Sequence, residues 1–345
     1  MSLIRRIILC LSAAALFIPL AGHAQQTLPD VVKPPGGINL GSTSFYDGFG
    51  RIRPGVTVLE YFRWTHDTEI ANATGGENPR FIAPRLNLFP DIVQVSAATK
   101  WRPFGGSTAL SIYFPFVQIN ASFAPNSPAK LTSYGFGMGD ITAGPIFQAR
   151  PLVRSPKSSL SGRVAGRPPA PETRPWFVYR LQLLLQFPVG AFDTSKNLNP
   201  GTGYWAVIPY VAATYLPTRR WEMSTRLHYQ YNFQTSRIAD PPVIPNLVYK
   251  SGQAGQIVYG NFTTSYKLTR RLYAGANSYE LYQLNPDKTN GVSVDKARET
   301  QAYLGPGGGF DFNENNLLHV NLYLKVEAHN TVAGPSLQVQ YIHRF

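Results

Sequence analysis

Residues Ser336 to Phe345 read SLQVQYIHRF. Leu337, Val339, Tyr341, His343 and Phe345 alternate there with Ser336, Gln338, Gln340, Ile342 and Arg344. Successive side chains of a strand point to opposite faces, so this period-two pattern places the two sets on opposite sides of a sheet. A chain that finishes as a strand leaves a row of unpaired N–H and C=O groups unless something covers that edge. Closure onto the first strand of the same chain removes the edge, so the ending points to a barrel. An ordinary surface strand that happens to stop at an aromatic residue is the competing reading of these residues taken alone.

The other terminus narrows the choice. Arg5 and Arg6 precede an apolar run from Ile7 to Leu20, and the small-residue exit Gly22-His23-Ala24 leads to Gln25. That pattern reads as a secretory signal over 1–24, cleaved after Ala24. The run falls short of the roughly 20 residues a spanning helix needs, and no later stretch replaces it. Cys10, the single cysteine, lies inside this leader behind Leu9, which argues against a lipoprotein and leaves the mature chain without a thiol. Structural disulfides, cysteine-ligated zinc and thiol catalysis are thereby excluded.

Composition agrees with a barrel in lipid. Aromatic residues make up 13% of the chain and charged residues only 15%, well under the roughly 25% charged content of ordinary soluble domains. The net charge of +13 falls to +11 when Arg5 and Arg6 leave with the signal. Such a balance suits a surface facing lipopolysaccharide phosphates and a basic pore, and without a recognition motif it does not indicate a nucleic-acid partner.

Strand-length segments separated by turn-rich breaks fall at 55–65, 91–102, 107–119, 136–148, 176–188, 203–216, 219–233, 256–268, 270–283, 301–312, 317–328 and 336–345. The expected architecture is all-β, a transmembrane antiparallel up-and-down barrel of about twelve strands over 55–345. Its connections alternate in length. Long ones span 66–90, 120–135, 189–202, 234–255, 284–300 and 329–335, whereas 103–106, 217–218, Thr269 and 313–316 are short. With both termini in the periplasm, the short set lies there and the long set faces outward. The stretch 149–175 breaks the rule: Arg150, Arg154, Lys157, Arg163, Arg167 and Arg174 are interspersed with prolines. A flexible insert and a basic tail that touches a cell-wall polymer or periplasmic partner both fit it.

Alternation also sorts the faces. Within WEMSTRLHYQYN, Trp221, Met223, Leu227, Tyr229 and Tyr231 fall on the lipid side, and Glu222, Ser224, Arg226, His228, Gln230 and Asn232 on the lumen side. In 317–328, Leu318, Val320, Leu322, Leu324 and Val326 alternate with His319, Asn321, Tyr323, Lys325 and Glu327. A basic group at the bilayer midplane costs about 2–4 kcal/mol, so the register is strongly specified. Arg180, Gln182 and Gln186 mark the lumen face of the fifth strand. Asp140, at lumen parity with Thr142, needs a partner, for which Arg180 on the adjacent strand is the expectation, and Glu222 with Arg226 is a further lumen pair. Trp64, Trp101, Trp176, Trp205 and Trp221 stand near strand ends, as interfacial girdle or packing residues.

Twelve strands enclose a narrow lumen, between the filled interior of eight and the wide channel of sixteen. Residues 25–54 precede the first strand and contain GGINLGSTSFYDGFG from Gly36 to Gly50. This stretch is too glycine-rich for a helix and too apolar for a solvated linker. It can fold inward, with Phe45, Tyr46, Asp47 and Phe49 as plug residues, or hang as a periplasmic tail.

GGINLGSTSFYDGFG, GFGMGDITAGPIFQ (Gly135 to Gln148), Gln186 to Gly190, Tyr204 to Tyr210, Trp221 to Asn232 and Leu304 to Gly307 together resemble the phenol meta-pathway degradation family of outer-membrane transporters. The likeness covers most of the mature chain and departs from it at the basic insert after Gln148. It implies a channel for small hydrophobic, aromatic solutes, linked to their degradation, in the outer membrane of a Gram-negative bacterium. The closing strand likewise resembles those of outer-membrane barrels, in which a terminal Phe such as Phe345 is read by the barrel-assembly machinery. The implied partners are outer-membrane lipid, lipopolysaccharide, that machinery and the solute.

A general diffusion, porin-like barrel and a purely structural barrel remain the alternatives. Twelve-stranded outer-membrane phospholipases place a serine beside a histidine, but no comparable serine motif accompanies His228, His319 or His343, so no catalytic role is expected. No histidine or acid pair has metal-ligand spacing, and no cofactor is expected.

Overall fold

The computed structural model describes residues 28–34, 45–154 and 174–345. The signal sequence, part of the N-terminal segment and the centre of the basic insert lie outside these residues. Twelve long strands form the wall: β1 (Gly55–Asp67), β2 (Arg85–Ala98), β3 (Ser107–Ser122), β4 (Ile141–Gln148), β5 (Arg174–Phe187), β6 (Ala206–Tyr215), β7 (Trp221–Asn232), β8 (Ile257–Lys267), β9 (Leu272–Gln283), β10 (Thr300–Asp311), β11 (Asn316–His329) and β12 (Ser336–Arg344). Each pairs antiparallel with its neighbours in sequence, and β12 pairs with β1 from Ser336↔Thr65 to Arg344↔Thr57. The barrel is therefore closed, as the terminal alternation requires. Among the described residues there is no α-helix.

Side-chain parity follows the expected register. Along β7, Glu222, Ser224, Arg226, His228, Gln230 and Asn232 are buried inside while Trp221, Met223, Leu227 and Tyr229 are exposed outside. Outward exposure of Phe62, Leu110, Leu181, Leu183, Phe262, Leu304, Val320 and Leu324 extends an apolar belt around the wall. The tryptophans bracket it: Trp64 and Trp205 stand at the end carrying the long loops, and Trp101, Trp176 and Trp221 at the end carrying the short turns. Lipid satisfies such a belt, and closure satisfies the backbone.

Three irregularities depart from the expected strands. The second strand begins at Arg85 rather than at residue 91, because Pro90 does not end it. Pairing of β2 with β1 lapses at Phe89 and Pro90, whereas Pro90 pairs with Val117 of β3, so the residue that lacks an N–H faces a gap in one ladder. The fourth strand is split: Phe136–Met138 and β4 both pair with β3, but Met138↔Phe116 and Thr142↔Tyr113 differ by one residue in register, a bulge at Gly139–Asp140. A third shift lies opposite Ala302 and Tyr303, where Ala302 faces Glu327 and Tyr303 faces Lys325, leaving Val326 as the extra residue in β11.

The basic insert begins as a strand pair. Leu152–Arg154 pairs with Arg174, Pro175 and Phe177, prolonging the β4–β5 hairpin beyond the wall at the short-turn end. Residues 155–173, which carry Lys157, Arg163 and Arg167, lie outside the described residues.

Candidate lumen site

The barrel wall presents polar and aromatic side chains inward, and the chain before β1 lies among them. The short-turn end of β1 is where that segment enters, and residues 45–50 occupy the adjacent half of the lumen. Asp47 sits between two arginines on the strands that flank β6. Arg226 of β7 donates from Nε to Asp47 Oδ2 at 2.7 Å and from Nη2 to Oδ1. Arg180 of β5 donates from Nη2 to Oδ1 at 2.9 Å. Two parallel N–H···O bonds from one planar guanidinium match the geometry of a carboxylate, and the second arginine reinforces the charge. Both guanidinium groups also lie near the Tyr210 ring, 5.0 Å for Arg226 and 6.0 Å for Arg180.

Neighbouring contacts hold the segment by its backbone. Tyr46 N–H donates to Glu222 Oε1 at 3.0 Å, Gly48 N–H donates to Thr214 Oγ1 at 2.8 Å, and Gln148 Nε2 donates to Gly48 O at 3.0 Å. Gly48 is required there: a Cβ on it would meet Thr214 N at 2.4 Å and Ala213 C at 2.8 Å, both wall backbone. Phe45 is buried edge-on against Tyr273 at 5.7 Å and His319 at 6.2 Å. Tyr46 meets Tyr273 at 5.4 Å and Phe49 at 6.3 Å. All four residues singled out from the sequence thus lie inside the barrel.

Above this layer, toward the long-loop end, inward tyrosines fill the interior. Tyr61, Tyr113, Tyr210, Tyr259, Tyr279, Tyr303 and Tyr323 share one buried cluster with Ile208, Ile257 and Leu281. His228 stacks on Tyr259 at 4.2 Å and leans on Tyr210 at 4.6 Å. Tyr279 stacks on Tyr303 at 4.6 Å. Apart from Tyr323, sequence reasoning did not single these tyrosines out, although inward parity in seven strands was their available signal. Beside the segment, a cavity of about 80 Å³ remains, lined by Phe49, Arg51, Gln94, Gln148, Arg180 and Arg344 among others. A cavity that takes benzene measures roughly 150 Å³, so this one has room for water but not for an arene.

Several sequence expectations are corrected. Asp140 does not pair with Arg180. Arg180 faces Gln148, whereas the neighbour of Thr142 is Gln186, so Asp140 lies about 27 Å farther along the wall, near the long loops. Its carboxylate accepts Gly190 N–H at 2.9 Å, Thr202 N–H at 2.7 Å and Thr202 Oγ1–H at 2.6 Å. Glu222 does not pair with Arg226, which Asp47 engages; it accepts from Ser224, from Ser265 Oγ at 2.9 Å and from Tyr46. Lys325 keeps the parity of Tyr323 and faces Tyr303, but it stands near the rim and pairs with Glu69. Past the extra residue Val326 the parity of β11 reverses, so Glu327 leaves the lumen face and pairs with His329. His319 is inward as expected, bonded by Nε2 to Tyr273 Oη at 2.6 Å and by Nδ1 to Gln340 Oε1 at 3.0 Å, so both its nitrogens are engaged without a serine.

The start of the segment lies at the opposite mouth. Val31 and Val32 are buried, Val32 clusters with Tyr204 and Ala254, Tyr204 Oη–H donates to Lys33 O at 2.7 Å, and Thr289 Oγ1–H donates to Pro29 O at 2.7 Å. These partners belong to the long loops. The segment therefore has contacts at both ends of the barrel, which the expectation of both termini on the short-turn side did not contain. Asp30 pairs with Lys33 here, and Asp287 accepts Gly255 N–H at 2.6 Å and Gln283 Nε2–H at 2.7 Å. Burial and the nearby Asp30 carboxylate push the Asp287 carboxyl up to about 9, against the pull of Lys33. No cluster of three or more histidine, cysteine or acidic side chains suited to a metal ion occurs among the described residues.

Comparison with known proteins agrees with this architecture. The family model described as "Putative MetA-pathway of phenol degradation" matches residues 59–341. A crystal structure of an outer membrane channel from Pseudomonas putida F1 superposes with a TM-score of 0.68 at 12% identity, covering 88% of this chain and 100% of that one. The β domain of the Bordetella autotransporter BrkA gives 0.48 at 9% identity, covering 85% and 100%, and the P. putida toluene transporter TodX gives 0.36 at 10%, covering 84% and 89%. No curated protein matches the chain. At these identities the first superposition supports the fold, a closed barrel of twelve strands.

Proposed function

The chain belongs to the phenol-degradation MetA-pathway family, and from that premise we propose that it is an outer-membrane channel for small hydrophobic, aromatic compounds, with its N-terminal segment as a plug. The observation that carries this reading is the lumen itself: an aromatic interior into which Phe45, Tyr46 and Phe49 are packed, beside a cavity of about 80 Å³. Aromatic walls with a few placed polar groups suit an apolar solute that lipopolysaccharide would otherwise hold back. A solute of one ring passes only when the segment moves. The likeness to an outer membrane channel from P. putida F1 supports the same role.

Export through the 1–24 signal, insertion by the barrel-assembly machinery through Phe345, and contact of the long loops with lipopolysaccharide belong to this reading. The short turns then face the periplasm and the long loops the outside.

Two experiments test it. Full-length mature protein in planar bilayers should conduct little, and protein lacking 25–50 should conduct strongly; equal conductance removes the plug. A deletion strain should grow more slowly than its parent on limiting phenol or toluate, and equal growth at micromolar substrate removes the uptake role. A general diffusion porin, the second reading, would instead conduct salt readily with the segment in place.

A further inference from the structure

We propose that Arg180 and Arg226 form a lumen site for the carboxylate of an aromatic acid, and that Asp47 with its flanking rings occupies that site as a built-in ligand. This rests on the channel reading, because the site opens only when the segment leaves.

The arrangement is that of a bound aromatic acid. Arg226 grips the two oxygens of Asp47 as a fork and Arg180 caps one of them. The Arg226 side chain is only 2% exposed, so its charge is held away from water and requires an anion. Donors are also left over: Arg226 Nη1 and Arg180 Nε are buried without a hydrogen-bond partner among the described residues. Such unmet donors favour a carboxylate that is free to settle between both arginines, as the tethered aspartate is not.

Rings beside the carboxylate complete the resemblance. Phe45 and Tyr46, adjacent to Asp47 in sequence, fill recesses against Tyr273, and the Tyr210 face lies beneath both arginines. When the segment withdraws, it uncovers a planar anion clamp next to vacated aromatic recesses. A benzoate-like molecule offers the same two groups in one body, a flat carboxylate and a ring. A planar fork favours carboxylate over a spherical halide, since only the former meets both N–H groups along their own axes. The neutral amide of the same shape presents one acceptor and an N–H₂ that would point at a guanidinium.

The test uses full-length mature protein with benzoate as the probe, benzamide and chloride as controls, and heat-modifiable electrophoretic mobility as the check on folding. Calorimetric titration of Asp47→Asn should show benzoate binding at least about tenfold tighter than in the wild type, as expected when a charge-assisted competitor is removed. Benzamide should bind neither protein, and Arg226→Gln on the Asp47→Asn background should abolish benzoate binding. A second readout keeps Asp47 in place. The mature chain has no cysteine, so Phe49→Cys alone supplies a reporter, and benzoate, not benzamide or equimolar chloride, should accelerate its modification by a maleimide. The inference is overturned if benzoate binds Asp47→Asn no better than wild type and leaves the labelling rate unchanged, or if chloride or benzamide acts as benzoate does. Failure there with intact phenol uptake would sink the carboxylate site and spare the channel, while loss of phenol-dependent growth without failure here would have no such meaning for the site.

Discussion

Arg226 and Asp47 are 179 positions apart in the chain and form a buried, two-pronged ion pair inside the barrel. One partner belongs to the wall and the other to the segment that enters the lumen, so the pair couples segment position to wall charge. Removing one member of a buried pair leaves the other uncompensated and costs about 3–5 kcal/mol. Asp47→Ala should therefore unseat the segment, while Gly48 and Tyr46 lose their wall bonds as a consequence. Single-channel recording should show long open events where the wild type is closed, with an unchanged barrel by circular dichroism. A closed Asp47→Ala channel would mean that the backbone bonds of Tyr46 and Gly48 suffice.

At the other mouth the Asp287 carboxyl stands beside Asp30 of the segment, and a proton on Asp287 favours that contact. The Asp287 carboxyl stands at about 9 in the folded protein, against an ordinary value of 3.8. A raised carboxyl binds its proton in the folded state and not in the unfolded one between these values, so the contact weakens as pH rises from about 4 and is weakest above 9. Protease cleavage near Val31 should accordingly accelerate between pH 7 and pH 10. Asp287→Asn keeps the acceptor for Gly255 N–H and removes the titration, so its cleavage rate should stay flat over that range. An identical rise in the variant would place the effect elsewhere.

These two ends were unequally legible in the sequence. Period-two alternation exposed β7, β11 and β12 because a wall between lipid and lumen leaves no freedom of face. It also puts Arg226 on the lumen face, while the composition of the segment before β1 marks Asp47. Their partnership was not legible, since pairing across a lumen depends on where a strandless segment lies, and no periodicity reports that. Arg180 was matched with Asp140 on the strength of adjacent strands alone, but position along the strand separates them. Alternation carried past Tyr323 puts Glu327 inside, and the bulge at Val326 reverses it. The start of β2 falls at residue 91 in the sequence reading, because sequence does not show which ladder can spare the N–H that Pro90 lacks.

Asp140 anchors the long β5–β6 loop to the wall, through Gly190 near its start and Thr202 near its end. Hydrogen bonds to an ionised acceptor contribute about 1.5–3 kcal/mol, and the N–H groups it leaves behind are buried. Asp140→Ala should destabilise this mouth by about 2–4 kcal/mol. Limited proteolysis should then cut within 188–205 at protease levels that leave the wild type whole. Unaltered proteolysis would show that the loop packs without its anchor.

The final residue separates assembly from stability. Phe345 donates its backbone N–H to Val56 O at 3.0 Å and rests its ring on His343 at 4.2 Å, yet remains largely exposed. Its loss removes about one net hydrogen bond, worth about 1 kcal/mol, from a barrel closed by the whole β1–β12 ladder. Deleting Phe345 should leave refolding in detergent close to wild type and reduce the heat-modifiable fraction in the outer membrane several-fold. Equal losses in both settings would mean that Phe345 matters for packing rather than recognition.

A larger residue at Gly48 tests the segment without touching a charge. Wall backbone at Thr214 and Ala213 already occupies the space a Cβ would need, 2.4 and 2.8 Å away, and backbone in a closed ladder cannot yield as a side-chain tip can. Gly48→Val should force residues 46–49 off the wall, breaking the bonds from Gly48 to Thr214 and from Gln148 to Gly48. Because β6 keeps its partners β5 and β7, the barrel should assemble normally and conduct as the protein lacking 25–50 does. If Gly48→Val instead conducts like the wild type, the segment has another seat in the lumen, and the Asp47 clamp rather than close backbone contact would fix it there.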